Sequence, residues 1–339
     1  MADPCKVLLP RQLTPQAALG ISLKLRDSEP FSTLVFDFQN TEWLEPFSML
    51  YFSGLLKNYR INHDVKVFVQ NFSKLDYGKH MGFFSACGAN VGKKVGQALG
   101  SETYLPISDI IFNSPSRIET TRPTIVQEII EEKAIALAEV LLGKHTEQNL
   151  VDVISFSIRE IGRNVYEHSG ADRLSYVAQF WPAKSEVEIC ISDLGCGIYS
   201  SILQNSHLVP QSNLDAIGMC LLPGISCKGN VFEGRSSDHW KNSGFGLYMM
   251  ASLCALDGSI FVLSNDSGLL IKNGIKHVAK AHFKGTIVRV KIRTDKIGLM
   301  SEMASSFVAE GRKIAKELTG MKQVTSSTAS GMLRRHFEK

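Results

Sequence analysis

Glu160, Asn164 and His168 stand four residues apart, within a stretch whose apolar residues Leu150, Ile154, Ile158, Ile161 and Val165 recur at steps of three and four. That spacing predicts a helix with one apolar face and, beside it, a stripe of polar side chains. A carboxylate and an amide one turn apart project into the same space. An Asn carbonyl suits a hard cation such as Mg²⁺, which prefers oxygen ligands. A carboxylate one turn away suits orienting or deprotonating a water or hydroxyl. Taken alone, the same pattern is that of any solvated amphipathic helix.

Three further motifs follow. Val187, Ile189 and Ile191 alternate with polar residues, which predicts a strand running into Asp193-Leu194-Gly195-Cys196-Gly197. A carboxylate at a strand end can accept a hydrogen bond from an exocyclic amine, and glycines after it let backbone approach a ligand. Lys241-Asn242-Ser243-Gly244-Phe245-Gly246-Leu247-Tyr248 leads into the apolar run Met249-Met250-Ala251. Small residues feeding a helix start aim backbone N–H groups outward, a phosphate-binding device. Last, Gly285-Thr286 opens the strand Ile287-Val288-Arg289-Val290, with the Thr hydroxyl available to support Asp193 or a water beside it.

In this order and at these separations, the four motifs resemble the GHKL ATPase superfamily over roughly residues 120–295. The group includes DNA gyrase, MutL-type repair proteins, large heat-shock chaperones, histidine kinases and anti-sigma-factor kinases. The resemblance implies a Bergerat fold, an α/β sandwich with a mixed sheet, binding ATP and Mg²⁺. Glu160 then matches the catalytic base, Asn164 the Mg²⁺ ligand, Asp193 the adenine-binding carboxylate and Thr286 the threonine near the base. Gly195, Gly197, Gly244 and Gly246 match the glycines around base and phosphates, and His168 fits an Asn-x-x-x-His pattern of several members. Ile198, Ser243 and Leu247 join the expected nucleotide contacts. More than forty residues between Gly197 and Gly244 show little periodicity, and the resemblance makes them the ATP lid. Lys228, Arg235 and Lys241 are its candidates for reaching the γ-phosphate. Cys190 and Cys196, which flank Asp193, are expected to be small apolar fillers.

Residues 1–115 predict a separate α/β unit. Thr33–Phe38 and Val65–Val69 read as strands, and Glu45–Tyr59 as a helix with Phe47, Leu50, Tyr51 and Leu55 as its stripe. This unit resembles a STAS domain, the fold of anti-sigma-factor antagonists, on the turn from Asp37-Phe38 through Thr41-Glu42-Trp43-Leu44 into the helix. Phosphorylatable members carry a serine at that helix start. Here Pro46 takes its place and Ser48 comes two residues late, so a docking or rigid structural role is expected. Breakers from Pro106 to Pro123 read as a linker, placed at 116–123. The ATP-binding domain is expected over 124–295, beginning with a helix from about Thr124 to Leu142. The region 296–339 is expected to be a helical tail: amphipathic to about Leu318, then Ser/Thr-rich and frayed, with the basic cluster Arg334-Arg335-His336.

The 339 residues are 44% hydrophobic and 21% charged, as in soluble globular proteins. A net charge of +4 implies no general pull toward nucleic acid or membrane. No apolar run approaches the roughly 20 residues that span a bilayer. The start of the chain lacks the pattern of a secretory signal. The seven cysteines are scattered, without a C-x-x-C pair, which fits reduced thiols in the cytoplasm. Three functional readings share the site: an ATP-driven switch acting on an unknown protein partner, an anti-sigma-type serine/threonine kinase with an unknown protein substrate, and a non-enzymatic module whose lid is ordered by ATP. The oligomeric state stays open, with a homodimer among the readings.

Overall fold

The structure, a computed structural model, describes residues 4–112, 123–142, 148–226 and 244–337. It belongs to the α/β class. The N-terminal part contains β1 (Cys5–Leu8), β2 (Gln12–Leu13), α1 (Pro15–Asp27), β3 (Thr33–Asp37) and β4 (Trp43–Leu44). It continues through α2 (Pro46–Asn62), β5 (Lys66–Gln70) and the short helices α3 (Asp76–His80) and α4 (Phe83–Ala86). The middle part holds β6 (Tyr104–Ile111), α5 (Pro123–Leu142), α6 (Gln148–Asn164), β7 (Arg173–Trp181) and β8 (Glu186–Asp193). Next come α7 (Gly197–Ile202), β9 (Leu208–Val209) and α8 (Asn213–Cys220). The remainder is α9 (Gly246–Asp257), β10 (Gly258–Ser264), β11 (Ser267–Lys272), β12 (Ile275–Lys280), β13 (Thr286–Arg293), α10 (Ile297–Thr319), β14 (Val324–Thr325) and α11 (Ser326–Phe337).

A seven-stranded sheet in the order β12-β11-β10-β13-β8-β7-β6 forms the centre. Every pairing in it is antiparallel, where the resemblance implied a mixed sheet. The connections explain this. Tight turns at Pro182–Ser185, Asn265-Asp266 and Asn273-Gly274 reverse the chain, and such short links join only antiparallel neighbours. Parallel pairing occurs in the three-stranded sheet β1-β3-β5, whose strands are joined through α1 and α2.

The two sheets sandwich α2. On the far face of the large sheet lie α5, α6 and α9. Alternate residues of each central strand serve the two sides: Val187, Ile189 and Ile191 of β8 join the core under α5, α6 and α9, while Cys190 joins the core around α2. The polar positions of β8 do not face water, as simple alternation suggests. Glu188 is fully buried on the α2 side. Helix α2 is covered almost all round, with Phe47, Met49, Leu50, Tyr51, Phe52, Leu55 and Leu56 inaccessible, well beyond the single stripe expected.

Several expected boundaries shift. Residues 106–111, read as linker, form the edge strand β6, which pairs with β7. The sheet therefore takes a strand from the expected first unit, and 113–122 lie outside the described residues. Residues 197–226, expected to lack periodicity, contain α7 and α8. The Ser/Thr-rich end is not frayed: α11 buries Ala329, Met332, Leu333 and Phe337. Within the basic cluster, the His336 side chain is buried, 3.2 Å from Glu310. No helix among the described residues is long and apolar enough to cross a membrane.

Candidate functional site

The ends of α6, β8 and β13 converge on one cleft. β8 and β13 run side by side with Asp193 opposite Thr286 and Ile191 opposite Val288. Because side chains alternate, these four face the same side of the sheet, and all four line the cleft. Asn164 and His168 enter from the end of α6 and the π-helical turn Val165–Ser169 that follows it. A π-turn widens the helix by one residue and is frequent at functional sites. Gly197 and Ile198 come from the start of α7, Leu247 from α9, Cys220 from the end of α8, and Ile225 and Ser226 from the segment that follows it. Seven sequence-selected residues thus meet here: Asn164, His168, Asp193, Gly197, Ile198, Leu247 and Thr286.

Asp193 is the only carboxylic acid in the cleft wall among the described residues, and it is 4% exposed. Its Oδ1 accepts the Gly195 N–H at 2.7 Å. Burial pushes its pKa up to about 7, against the lowering effect of that hydrogen bond. A buried acid with one oxygen committed keeps the other for an incoming donor. Ile161, Val165, Ile191, Ile202 and Val288 form the apolar part of the wall, and Asn164, His168 and Thr286 are among its polar residues. A planar heterocycle with an exocyclic amine fits that chemistry. The cleft measures about 90 Å³, below the roughly 300–1,000 Å³ of pockets that enclose whole small ligands. In this conformation it is too small to enclose a whole nucleotide. Asn164, exposed at the mouth, can offer a carbonyl oxygen to Mg²⁺, which commonly keeps few protein ligands beside phosphate and water.

Glu160 does not line the cleft. It is buried beneath the glycine-rich start of α9, where it accepts a hydrogen bond from the Gly244 N–H. Gly246 rests directly on it: a Cβ there would lie 2.5 Å from the Glu160 Cβ. Gly244 has φ +63°, and a Cβ on it would meet the Ile225 carbonyl at 2.5 Å. The two glycines thus let the loop pack between α6 and the Ile225 segment. Burial raises the Glu160 pKa, opposed first by Arg163, whose Nη1 is 3.5 Å from Oε1. Oε1 has no hydrogen-bond partner. A negative group at the start of α9 is also favoured by the helix dipole.

Gly195 likewise faces away from the cleft and abuts the Ser169 backbone, where a side chain would overlap it. Cys190 lies on the opposite face of the sheet beside Glu188, and Cys196 is exposed, with Sγ 3.4 Å from Ser201 Oγ. Lys228, Arg235, Lys241 and Ser243 lie outside the described residues. Sequence reasoning passed over Ile191 and Val288 as wall residues, although strand periodicity from Asp193 and Thr286 points to both. It also missed Ser264, whose Oγ accepts the Ile198 N–H at 2.9 Å and fixes the start of α7. No local signal marks that contact.

No family model and no curated protein matches the chain. A solved structure titled as the crystal structure of the N-terminal domain of a DNA repair protein aligns at 14% identity and a TM-score of 0.20. The alignment covers 56% of this chain and spans about half, 47%, of that one. So low a score carries no argument about fold or function.

Proposed function

We propose that this chain is an ATP-binding regulatory protein, a slow Mg²⁺-dependent ATPase whose nucleotide state is passed to a protein partner. The observation that carries the reading is the buried Asp193 carboxyl, which sits opposite Thr286 in an apolar cleft that also gathers Asn164, His168 and Leu247 from distant parts of the chain. Asp193 accepts the adenine amine, the apolar walls hold the ring, and Asn164 supplies an oxygen to the Mg²⁺ beside the phosphates. Glu160, one turn from Asn164, is the base that orients the attacking water. In this conformation it is held under the Gly244–Gly246 loop, so turnover requires that loop to shift as the lid closes over a whole nucleotide.

The test is incubation of the full chain with γ-labelled ATP and Mg²⁺, following free phosphate and protein-bound label, with Glu160→Gln and Glu160→Ala alongside. Gln preserves an acceptor for the Gly244 N–H. It is expected to bind ATP like the parent and to lose turnover by a factor of roughly 100 or more. Ala is expected to lose both, because the loop loses its support. Unchanged turnover in the Gln variant removes Glu160 from its role. Absence of ATP binding in the parent sinks the whole reading.

A further inference from the structure

The turn at the end of β8 separates two cavities. Ser192 and Asp193 line the cleft described above and also a second cavity, of about 330 Å³, between α2 and the ends of β7 and β8. Its charged wall residues besides Asp193 are Lys57, Arg60, Asp109 and Arg173. The charges are unevenly committed. Asp109 is taken up by Arg173 at 3.0 Å and by the Ser175 hydroxyl at 2.6 Å. Arg173 also clamps the neighbouring Asp172, with Nη2 to Oδ2 at 2.7 Å. That leaves Lys57 and Arg60, three residues apart on α2 and so on one helix face. Neither forms a hydrogen bond or ion pair with a carboxylate among the described residues.

Both cations are placed by the fold. Lys57 is half-buried, and its ammonium is disfavoured by burial and then by the nearby Arg173 guanidinium. Arg60 stands at the mouth and lies across Gly88, where φ is +90° and a Cβ would overlap the guanidinium. Lys57, attracted only from a distance by Asp172 and Asp109, and Arg60 line one partly dry cavity, and an ammonium and a guanidinium so placed gain from an incoming oxyanion. The volume falls at the lower end of ligand pockets. The apolar walls, with Ala86, Val95, Ile107 and Leu194, suit a small organic body.

We propose that this second cavity binds a small organic anion bearing a phosphate or carboxylate group, held by Lys57 and Arg60. The site borders the nucleotide cleft at Ser192 and Asp193, but its cations come from α2, and it does not depend on the reading given for that cleft. The experiment is thermal melting of the full chain against inorganic phosphate and, separately, citrate, at constant ionic strength set with chloride. Lys57→Met, Arg60→Met, the exposed control Lys24→Met and the nucleotide-cleft variant Asn164→Ala are run in parallel. The expected result is a saturable rise in Tm with at least one anion, kept in Lys24→Met and Asn164→Ala. Half-saturation should move at least 10-fold higher in Lys57→Met and in Arg60→Met. A response to phosphate alone assigns a phosphoester, to citrate alone a polycarboxylate, and to both any compact oxyanion. No saturable response to either anion, or an equal response in the Lys57 and Arg60 variants, overturns the proposal. Failure of ATP to bind while the anion response persists would sink only the nucleotide reading.

Discussion

The surroundings of Asp193 disfavour its charged form, and that makes its role testable without any ligand. Its pKa is raised to about 7 by burial, above the ordinary value of 3.8. A group whose folded value is raised contributes stability that is full below the unfolded value and is lost as pH climbs through the folded one. Between about pH 4 and pH 7 the free protein should therefore lose stability, on the order of 4 kcal/mol from this residue. Asp193→Asn has no charge to desolvate. Melting of the ligand-free protein should show the variant more stable than the parent at pH 8, with the gap closing toward pH 4. The same change should weaken ATP binding about tenfold, because a charge-assisted acceptor is lost. A variant less stable at pH 8, or a parent that binds ATP and GTP equally, would contradict the assignment. At this scale much of the site was readable. Asp193, Thr286, Asn164 and His168 carry side-chain chemistry at fixed spacings on regular elements. Glu160 and Gly195 do not line the cleft, because helix phase and turn geometry set direction only to within a residue. The π-turn after Asn164 and the packing of Gly246 on Glu160 decide what spacing cannot.

Helix α2 shows how one element can be read correctly in extent and wrongly in surroundings. Its N-terminus, with Pro46 in the first turn, was legible. Glu45, at the cap position, makes no side-chain capping bond. The capping group comes from the other sheet: Glu188 Oε1 accepts the Phe47 N–H at 2.9 Å, while Oε2 binds Arg289 at 2.7 Å. Glu45 stands 3.5 Å from the same Arg289. The start of α2 is closed against the chain's own sheet, and Ser48 is inaccessible. Nothing local in β8 reveals this, since a strand with Glu at alternate positions reads as one with a wet face. The energetic consequence is a strongly coupled buried pair. Glu188→Met or Arg289→Met alone leaves a buried partner charge and should cost about 3–5 kcal/mol. The double change to Met removes both charges and should recover most of that, leaving roughly 1 kcal/mol for the lost cap. Urea unfolding of the four proteins measures the coupling. A double variant as unstable as the worse single one would show that the pair acts through packing alone.

Across the whole molecule, the C-terminal segment fastens the region expected to move with nucleotide. Strand β14 pairs in parallel with β9, and the Val324 N–H donates to the His207 carbonyl at 2.8 Å. The His207 ring lies 3.2 Å from the Lys322 carbonyl. Helix α11 then packs on α8 and reaches back to the body, where His336 Nε2 is 3.0 Å from the Ser252 hydroxyl of α9 and Nδ1 is 3.2 Å from Glu310 of α10. The same helix therefore touches the base of the expected lid and the helix that begins at the glycine loop. The stripe Ala329, Met332, Leu333 and Phe337 carries this contact at helical spacing. It was present in the sequence but masked by a Ser/Thr-rich composition that resembles a solvated end. Removing residues 321–339 exposes the apolar face of α8 and frees β9. Hydrogen exchange should then speed up in residues 208–220 while the strands β8 and β13 keep their protection. Dissociation of bound ATP should quicken several-fold, because the segment carrying Cys220 and Ile225 loses its anchor. Leu333→Ala, a milder cut costing about 2–4 kcal/mol locally, should move both quantities in the same direction by less. Exchange that rises evenly through the sheet would mean that the tail supports the whole fold. Exchange that rises in 208–220 without any change in nucleotide release would uncouple the tail from the cleft.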